Sequence, residues 1–221
     1  TGSYNKAQAL VEKNGWFYAR QFENPANADI HESTTGIEIV NDFKDLGLDY
    51  WVSGYGTGGT FTGVSRILRK EMPETKLIIT EPDVAPLIAS GIEQKRSNDN
   101  SPSSSHPEWN PHPIQGWTTD FIPYVLQESI DNKYFDENIP VTGADGILWS
   151  KKLASKEGII TGISGGSTFA VAMSVARKAN KGCNILCMLA DTAERYMSSI
   201  LFEQIDAEMD EEEIKILDSV K

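Results

Sequence analysis

Apolar positions along the chain follow helical and strand intervals in alternation. Ala7, Leu10 and Val11 share one face of an opening helix, which Gly15 stops. The run Trp16-Phe17-Tyr18-Ala19 reads as a strand, followed by a turn at Asn24-Pro25-Ala26-Asn27. A helix follows in which Ile39, Phe43 and Leu46 recur at helical spacing, with Gly47 as its C-terminal cap. Tyr50-Trp51-Val52-Ser53 forms a short strand, and Phe61, Val64, Ile67 and Leu68 mark the next helix. The strand Lys76-Leu77-Ile78-Ile79-Thr80 ends at Glu81-Pro82. Residues 94–113 carry no periodic apolar positions and read as a long surface loop. Order resumes at Ile114, with a helix from Ala144 to Glu157 and an apolar run from Ile159 to Ser164. A helix over Thr168 to Lys178, a strand from Cys183 to Leu189 and a helix through Tyr196 and Phe202 complete the pattern. Asp210-Glu211-Glu212-Glu213 reads as a solvated tail. Strands alternating with amphipathic helices predict an α/β fold: an open, mostly parallel sheet with helices on both faces.

Composition narrows the class. The 221 residues are 39 % hydrophobic with a formal net charge of -12, and the mean hydropathy is -0.35. Such a balance argues against a nucleic-acid backbone as partner, since that needs a basic face. No apolar run approaches the roughly 20 residues of a membrane helix, and the first residues lack the pattern of a signal or transit peptide. The chain does not open on Met, which suggests a fragment or processed product. Cys183 and Cys187 fall on one side of a strand as buried thiols, in keeping with a reducing compartment. The three histidines lack metal-ligand spacing with the cysteines, so no metal site is expected.

The segment Gly54-Tyr55-Gly56-Thr57-Gly58-Gly59-Thr60 carries the chemistry. It follows a strand and opens a helix, leaving backbone N–H groups bare at the positive end of the helix dipole. Thr57 and Thr60 add hydroxyls suited to a terminal phosphate. Gly54, Gly56 and Gly59 also satisfy a dinucleotide fingerprint, with Glu81 at the end of the next strand to hold a ribose. By itself the loop leaves both ligands open.

Other segments resemble cysteine synthase (O-acetylserine sulfhydrylase), a fold-type II pyridoxal-phosphate enzyme. They are Gln21-Phe22-Glu23-Asn24-Pro25-Ala26-Asn27 with His31 and Thr34-Thr35-Gly36, the Gly54–Gly63 segment, and Glu81-Pro82. Further on come Ile114-Gln115-Gly116 with Phe121-Ile122-Pro123, Gly162-Ile163-Ser164, and Asp191-Thr192-Ala193-Glu194-Arg195-Tyr196. They run in the family's order over nearly the whole chain. The resemblance implies pyridoxal 5'-phosphate as cofactor, its phosphate on Gly56, Thr57, Gly58, Gly59 and Thr60. Ser164 then faces the pyridine nitrogen, where a neutral hydroxyl suits β-elimination better than transamination. Gln21 and Phe22 would line the amino-acid pocket, and Gly116 the mobile segment beside it.

The implied reaction replaces the acetate of O-acetylserine by sulfide to give cysteine, with cystathionine β-synthase chemistry as the nearest alternative. The family's Schiff-base lysine lies in an early Ser-x-Lys segment that this sequence does not contain, and Lys6 has no such context. No catalytic residue is therefore assigned. Residues 1–221 are expected to be the C-terminal, cofactor-binding part of the catalytic region, without the small subdomain and inactive alone. A catalytically incompetent relative serving as an interaction subunit is the alternative from another class. Homodimerisation, docking of a serine acetyltransferase C-terminal tail, and residence in the cytosol, a mitochondrion or a plastid rather than secretion are implied likewise. Departures from the family are Trp117-Thr118-Thr119-Asp120 after Gln-Gly, Ala190 and Ala193, and extra length around residues 97–109.

Overall fold

The computed structural model describes residues 1–206 and 208–220. Strands β1 (Tyr50–Gly54), β2 (Lys76–Pro82), β3 (Glu137–Val141) and β4 (Ile185–Cys187) form one sheet in the order β3-β2-β1-β4. Every pairing is parallel, with Trp51 opposite Leu77 and Leu186, and Val52 opposite Ile78 and Cys187. The period-two alternation of strands divides these side chains between two cores. Trp51, Leu77 and Ile79 pack with Phe61, Val64 and Leu68 of helix α4 (Gly59–Glu71). The rings of Trp51 and Phe61 stack at 5.0 Å. Val52 and Ile78 face the other way, onto Val171 and Val175 of α7 (Ile163–Ala176). Burial on both faces explains why β1 and β2 read as apolar runs, and the predicted fold class stands.

Further helices complete the layers. α1 (Gly2–Asn14) ends where Gly15 adopts φ 67° and returns its N–H to the Val11 carbonyl. The helix predicted through Ile39 and Leu46 is two, α2 (Ala26–Ser33) and α3 (Thr35–Phe43). The break falls at Thr34 (φ −124°, ψ −79°), whose N–H still closes α2 on Ile30. Gly47 caps the turn after α3 as predicted, at φ 73°, with its N–H on the Phe43 carbonyl. α6 (Gly143–Glu157) starts at Thr142, whose hydroxyl accepts from the Asp145 N–H.

Other expectations are corrected. Trp16-Phe17-Tyr18-Ala19 is not a strand: no described strand lies alongside to pair with it, and Phe17 is 90 % exposed. α5 (Tyr124–Asp131) and β3 were not anticipated. β3 is a short edge strand carrying Pro140, which has no N–H to donate to a ladder. The Ile159–Ser164 run contributes only the single bridge Thr161–Thr192, and α7 begins at Ile163 rather than at Thr168. β4 keeps three of the seven predicted residues, and the helix expected through Phe202 is a 3-10 turn, Ala193–Tyr196. The acidic tail opens α8 (Glu211–Ser219) through an Asp210–Glu213 capping box. The 94–113 loop has no helix or strand, yet it buries Ser101 and His106. Both cysteines are half-buried and unpaired, and burial pushes the Cys187 thiol up to about 11.

Candidate functional site

The loop between β1 and α4 is tight on every side. A Cβ at Gly56 would run into the Gly116 carbonyl, one at Gly58 into Leu126, and one at Gly59 into the Asn27 amide. Gly58 also sits at φ 85° as the N-cap of α4, in the left-handed region that glycine enters without strain. The Thr62 N–H bonds the Gly58 carbonyl at 2.9 Å, so the amides just before it have no helical partner. Those amides and the helix dipole form an anion-binding end.

Helix α2 holds both loop threonines. Asn27 Nδ2 donates to Thr57 Oγ1 at 2.9 Å and to the Gln21 carbonyl at 2.8 Å. His31 Nε2 lies 3.1 Å from Thr60 Oγ1, and its Nδ1 lies 2.9 Å from Thr35 Oγ1. Burial lowers the His31 pKa below its ordinary value of 6.5. The neutral ring therefore donates to one threonine and accepts from the other.

Ser164 stands across from this loop in the first turn of α7, 5 % exposed. Behind it the Tyr196 hydroxyl donates to Asp191 Oδ2, while Asp191 Oδ1 is buried with no partner among the described residues. Burial first, and the Asp191 hydrogen bond second, push the Tyr196 phenol up to about 12. Gly56, Thr60, Gly116, Trp117, Ser164 and Asp191 line a common cavity of about 150 Å³. Whole ligand pockets run to about 300–1,000 Å³. The space therefore takes part of a ligand, whose remainder reaches out through the mouth. No lysine lines it among the described residues.

The structure thus brings Gly56, Thr60, Ser164 and Gly116 together, with Thr57, Gly58 and Gly59 completing the loop. Gln21 and Phe22 fall elsewhere, on a second cavity of about 710 Å³ with Tyr4, Tyr18 and Phe121. The Phe22 ring meets Phe121 edge-on at 5.1 Å, and Gln21 is exposed. The segment after Gly116 is firmly held. The Thr118 N–H bonds the Tyr55 carbonyl at 2.9 Å, and the Thr118 carbonyl accepts from Trp109 Nε1 and His112 Nε2 at 3.1 Å each.

Glu81 gives no support to a dinucleotide. It is fully buried and accepts from Tyr55, Asn138 and the Ile88 and Ala89 amides, so no oxygen is left for a ribose. Sequence reasoning assigned no role to Asn27, His31, Asp191 or Tyr196, although all four lie in the quoted segments. Their spacing to the loop exists only in three dimensions.

A phosphate on the loop and a flat heteroaromatic ring reaching Ser164 suit this donor set: helix-end amides, of which the Gly59 N–H rests 3.3 Å from Thr57 Oγ1, and two threonine hydroxyls at one end, a single hydroxyl at the other. Comparison with known proteins agrees. The family model described as "Pyridoxal-phosphate dependent enzyme" matches residues 1–191. O-ureido-L-serine synthase of Streptomyces lavendulae is 43 % identical over 96 % of this chain and 60 % of its own length. Cysteine synthase of Staphylococcus aureus is 35 % identical over 91 % of this chain and 58 % of its own. A crystal structure of O-ureido-L-serine synthase superposes with a TM-score of 0.82 at 40 % identity, covering 97 % of this chain and 62 % of that one. The chain therefore spans about 60 % of the length of the curated relatives it matches. With a family match over residues 1–191 and 43 % identity to a curated relative over 96 % of this chain, the chain belongs to the family of pyridoxal-phosphate dependent enzymes.

Proposed function

We propose that this chain is the cofactor-binding part of an enzyme that exchanges the β-substituent of an activated serine, O-acetylserine, for sulfide to give cysteine. One observation carries the reading: Ser164 shares a cavity with Gly56 and Thr60 of the loop, which sets a neutral hydroxyl within reach of the ring of a cofactor whose phosphate lies on the loop. Bound pyridoxal phosphate supplies the electron sink that makes the substrate Cα–H acidic. Within this chain the loop amides hold the phosphate, while Thr57 and Thr60 add hydroxyl hydrogen bonds. Asn27 and His31 fix the directions of those hydroxyls. Ser164 moderates the sink, which favours loss of a β-leaving group over transamination. Gln21 and Phe22 border a separate cavity of about 710 Å³, so their part in the amino-acid pocket rests on the resemblance alone.

A second reading keeps the reaction class and changes the entering group. It is favoured by the 43 % identity to O-ureido-L-serine synthase, against 35 % to cysteine synthase. An O-ureido product requires an oxygen nucleophile, hydroxyurea, in place of sulfide. The test supplies the full-length protein, loaded with pyridoxal phosphate, with O-acetylserine and either sulfide or hydroxyurea, and identifies the product by mass. Cysteine supports the first reading and O-ureidoserine the second. Release of pyruvate alone, or no turnover, removes both.

A further inference from the structure

Residues 94–113, which carry no helix or strand, are bonded along the segment that follows Gly116. Gln94 Oε1 accepts from the Ile122 N–H at 3.0 Å, and the Arg96 guanidinium donates to the Ile122 carbonyl at 2.8 Å. The Ser105 hydroxyl donates to the Asp120 carboxylate at 2.6 Å, and the His106 N–H to the Asp120 carbonyl at 2.7 Å. Trp109 Nε1 and His112 Nε2 both donate to the Thr118 carbonyl. A carbonyl only accepts, so His112 carries its proton on Nε2. The bonds fall on alternate residues, Thr118, Asp120 and Ile122, and the loop is a strap across this segment.

Thr118 needs such holding. Its φ of 37° lies in the left-handed region, where a β-branched side chain is an outlier. Its N–H bonds the Tyr55 carbonyl at 2.9 Å, while the two strap donors hold its own carbonyl. The surroundings thereby fix a conformation the residue does not favour by itself. The preceding residue, Trp117, lines the cavity of Gly56, Thr60 and Ser164. Its indole lies on Gly54, where a Cβ would fall within the ring. One residue earlier, the Gly116 carbonyl fills the space that a Cβ at Gly56 would need. Gly54, which completed a dinucleotide spacing in the sequence, is thus accounted for by the close approach of Trp117.

We propose that Trp109 and His112 are positioning residues: through the Thr118 carbonyl they hold Trp117 against Gly54, where the indole walls the site of the cofactor ring. This rests on the reading of that cavity as the pyridoxal-phosphate site. An indole face suits a flat heteroaromatic ring. Neither Trp109 nor His112 lines the cavity, so both act through the backbone of the segment they hold.

The test uses the full-length protein with Trp109→Phe, which keeps a ring and removes the N–H, His112→Ala, and His112→Gln, which returns an N–H donor. Pyridoxal phosphate affinity is read from the absorbance of the bound cofactor, and hydrogen exchange over residues 116–122 by mass spectrometry. Melting temperature is taken without cofactor. Trp109→Phe and His112→Ala should each speed that exchange and weaken cofactor binding about five- to tenfold. His112→Gln should recover most of the affinity. Trp117→Ala should weaken binding at least as much, and Trp117→Phe, which keeps a flat ring, by less. Unchanged cofactor affinity in folded Trp109→Phe or His112→Ala overturns the proposal, even where the melting temperature falls. So does unchanged affinity in Trp117→Ala. If His112→Ala does not fold, Trp109→Phe decides. Failure of the natural protein to bind the cofactor at all would instead remove the functional reading beneath it.

Discussion

Residue identity matters most where the loop threonines meet α2. His31 bridges Thr60 and Thr35, and burial holds its pKa below 6.5. In the unfolded chain the imidazole takes up a proton near 6.5, while the folded site resists it. Protons thus favour the unfolded state in the window that opens near 6.5 and runs down to the folded-state value. Stability from this group is complete above that window and is lost as pH falls through it. Thermal melts of the natural protein and His31→Gln, taken between about pH 7.5 and 5.5, should show the natural protein's advantage shrinking in acid. A constant gap across that range would show that His31 does not titrate in this way. Gly58 makes a different demand, since its φ of 85° and its contact with Leu126 leave no place for a side chain.

Among the elements, α2 and α4 set the geometry of the glycine loop. Gly63 lies on the α4 face against α2, where a Cβ would press on the Ala28 carbonyl, the Glu32 amide and His31 Cβ. Farther along α4, Arg66 ties Asp29 and Glu32 of α2 to Glu128 of α5, at 2.9, 2.8 and 2.5 Å. The two helices are thus in backbone contact at one point and clamped by an ion network at another. Gly63→Ala should push them apart, costing about 1–3 kcal/mol in urea unfolding. It should also weaken pyridoxal phosphate binding, because Asn27 and His31 move away from the loop. Gly2→Ala is the control, since nothing lies within 4 Å of its Cβ position. Unaltered cofactor affinity in Gly63→Ala would show that α2 does not set the loop.

For the whole molecule, the cavity joins parts of the chain more than 100 residues apart, Gly56 and Thr60 on one side and Ser164 and Asp191 on the other. A ligand that spans it ties α4 to α7 across the sheet, and binding to the folded state alone stabilises by mass action. At cofactor concentrations about 100 times the dissociation constant, the full-length protein should gain about 2.7 kcal/mol. The gain is read as a rise in melting temperature with added pyridoxal phosphate. Inorganic phosphate at equal concentration should give a smaller rise, because it reaches the loop but not Ser164. Equal shifts from the two would show that the ring makes no stabilising contact. Among the described residues, no helix is long and apolar enough to cross a membrane.

The sequence by itself determined the layered α/β arrangement and the glycine-rich loop that opens α4. Both rest on local rules: β1 and β2 are apolar because a parallel strand is covered twice, and the glycines open a helix whose end amides lack a helical partner. It also placed Ser164, through the resemblance of the Gly162-Ile163-Ser164 segment. Periodicity misjudged the elements whose form depends on neighbours. Trp16 to Ala19 has strand-forming side chains but no strand to pair with, and β3 is polar yet exists because β2 offers it an edge. Only the tertiary structure decided that Glu81 is sealed by Tyr55 and Asn138, and that Asn27 and His31 aim the loop threonines. It alone set Tyr196 and Asp191 behind Ser164. Hydrogen-bond direction depends on atoms brought within about 3 Å by packing, and linear spacing along a chain does not encode that approach.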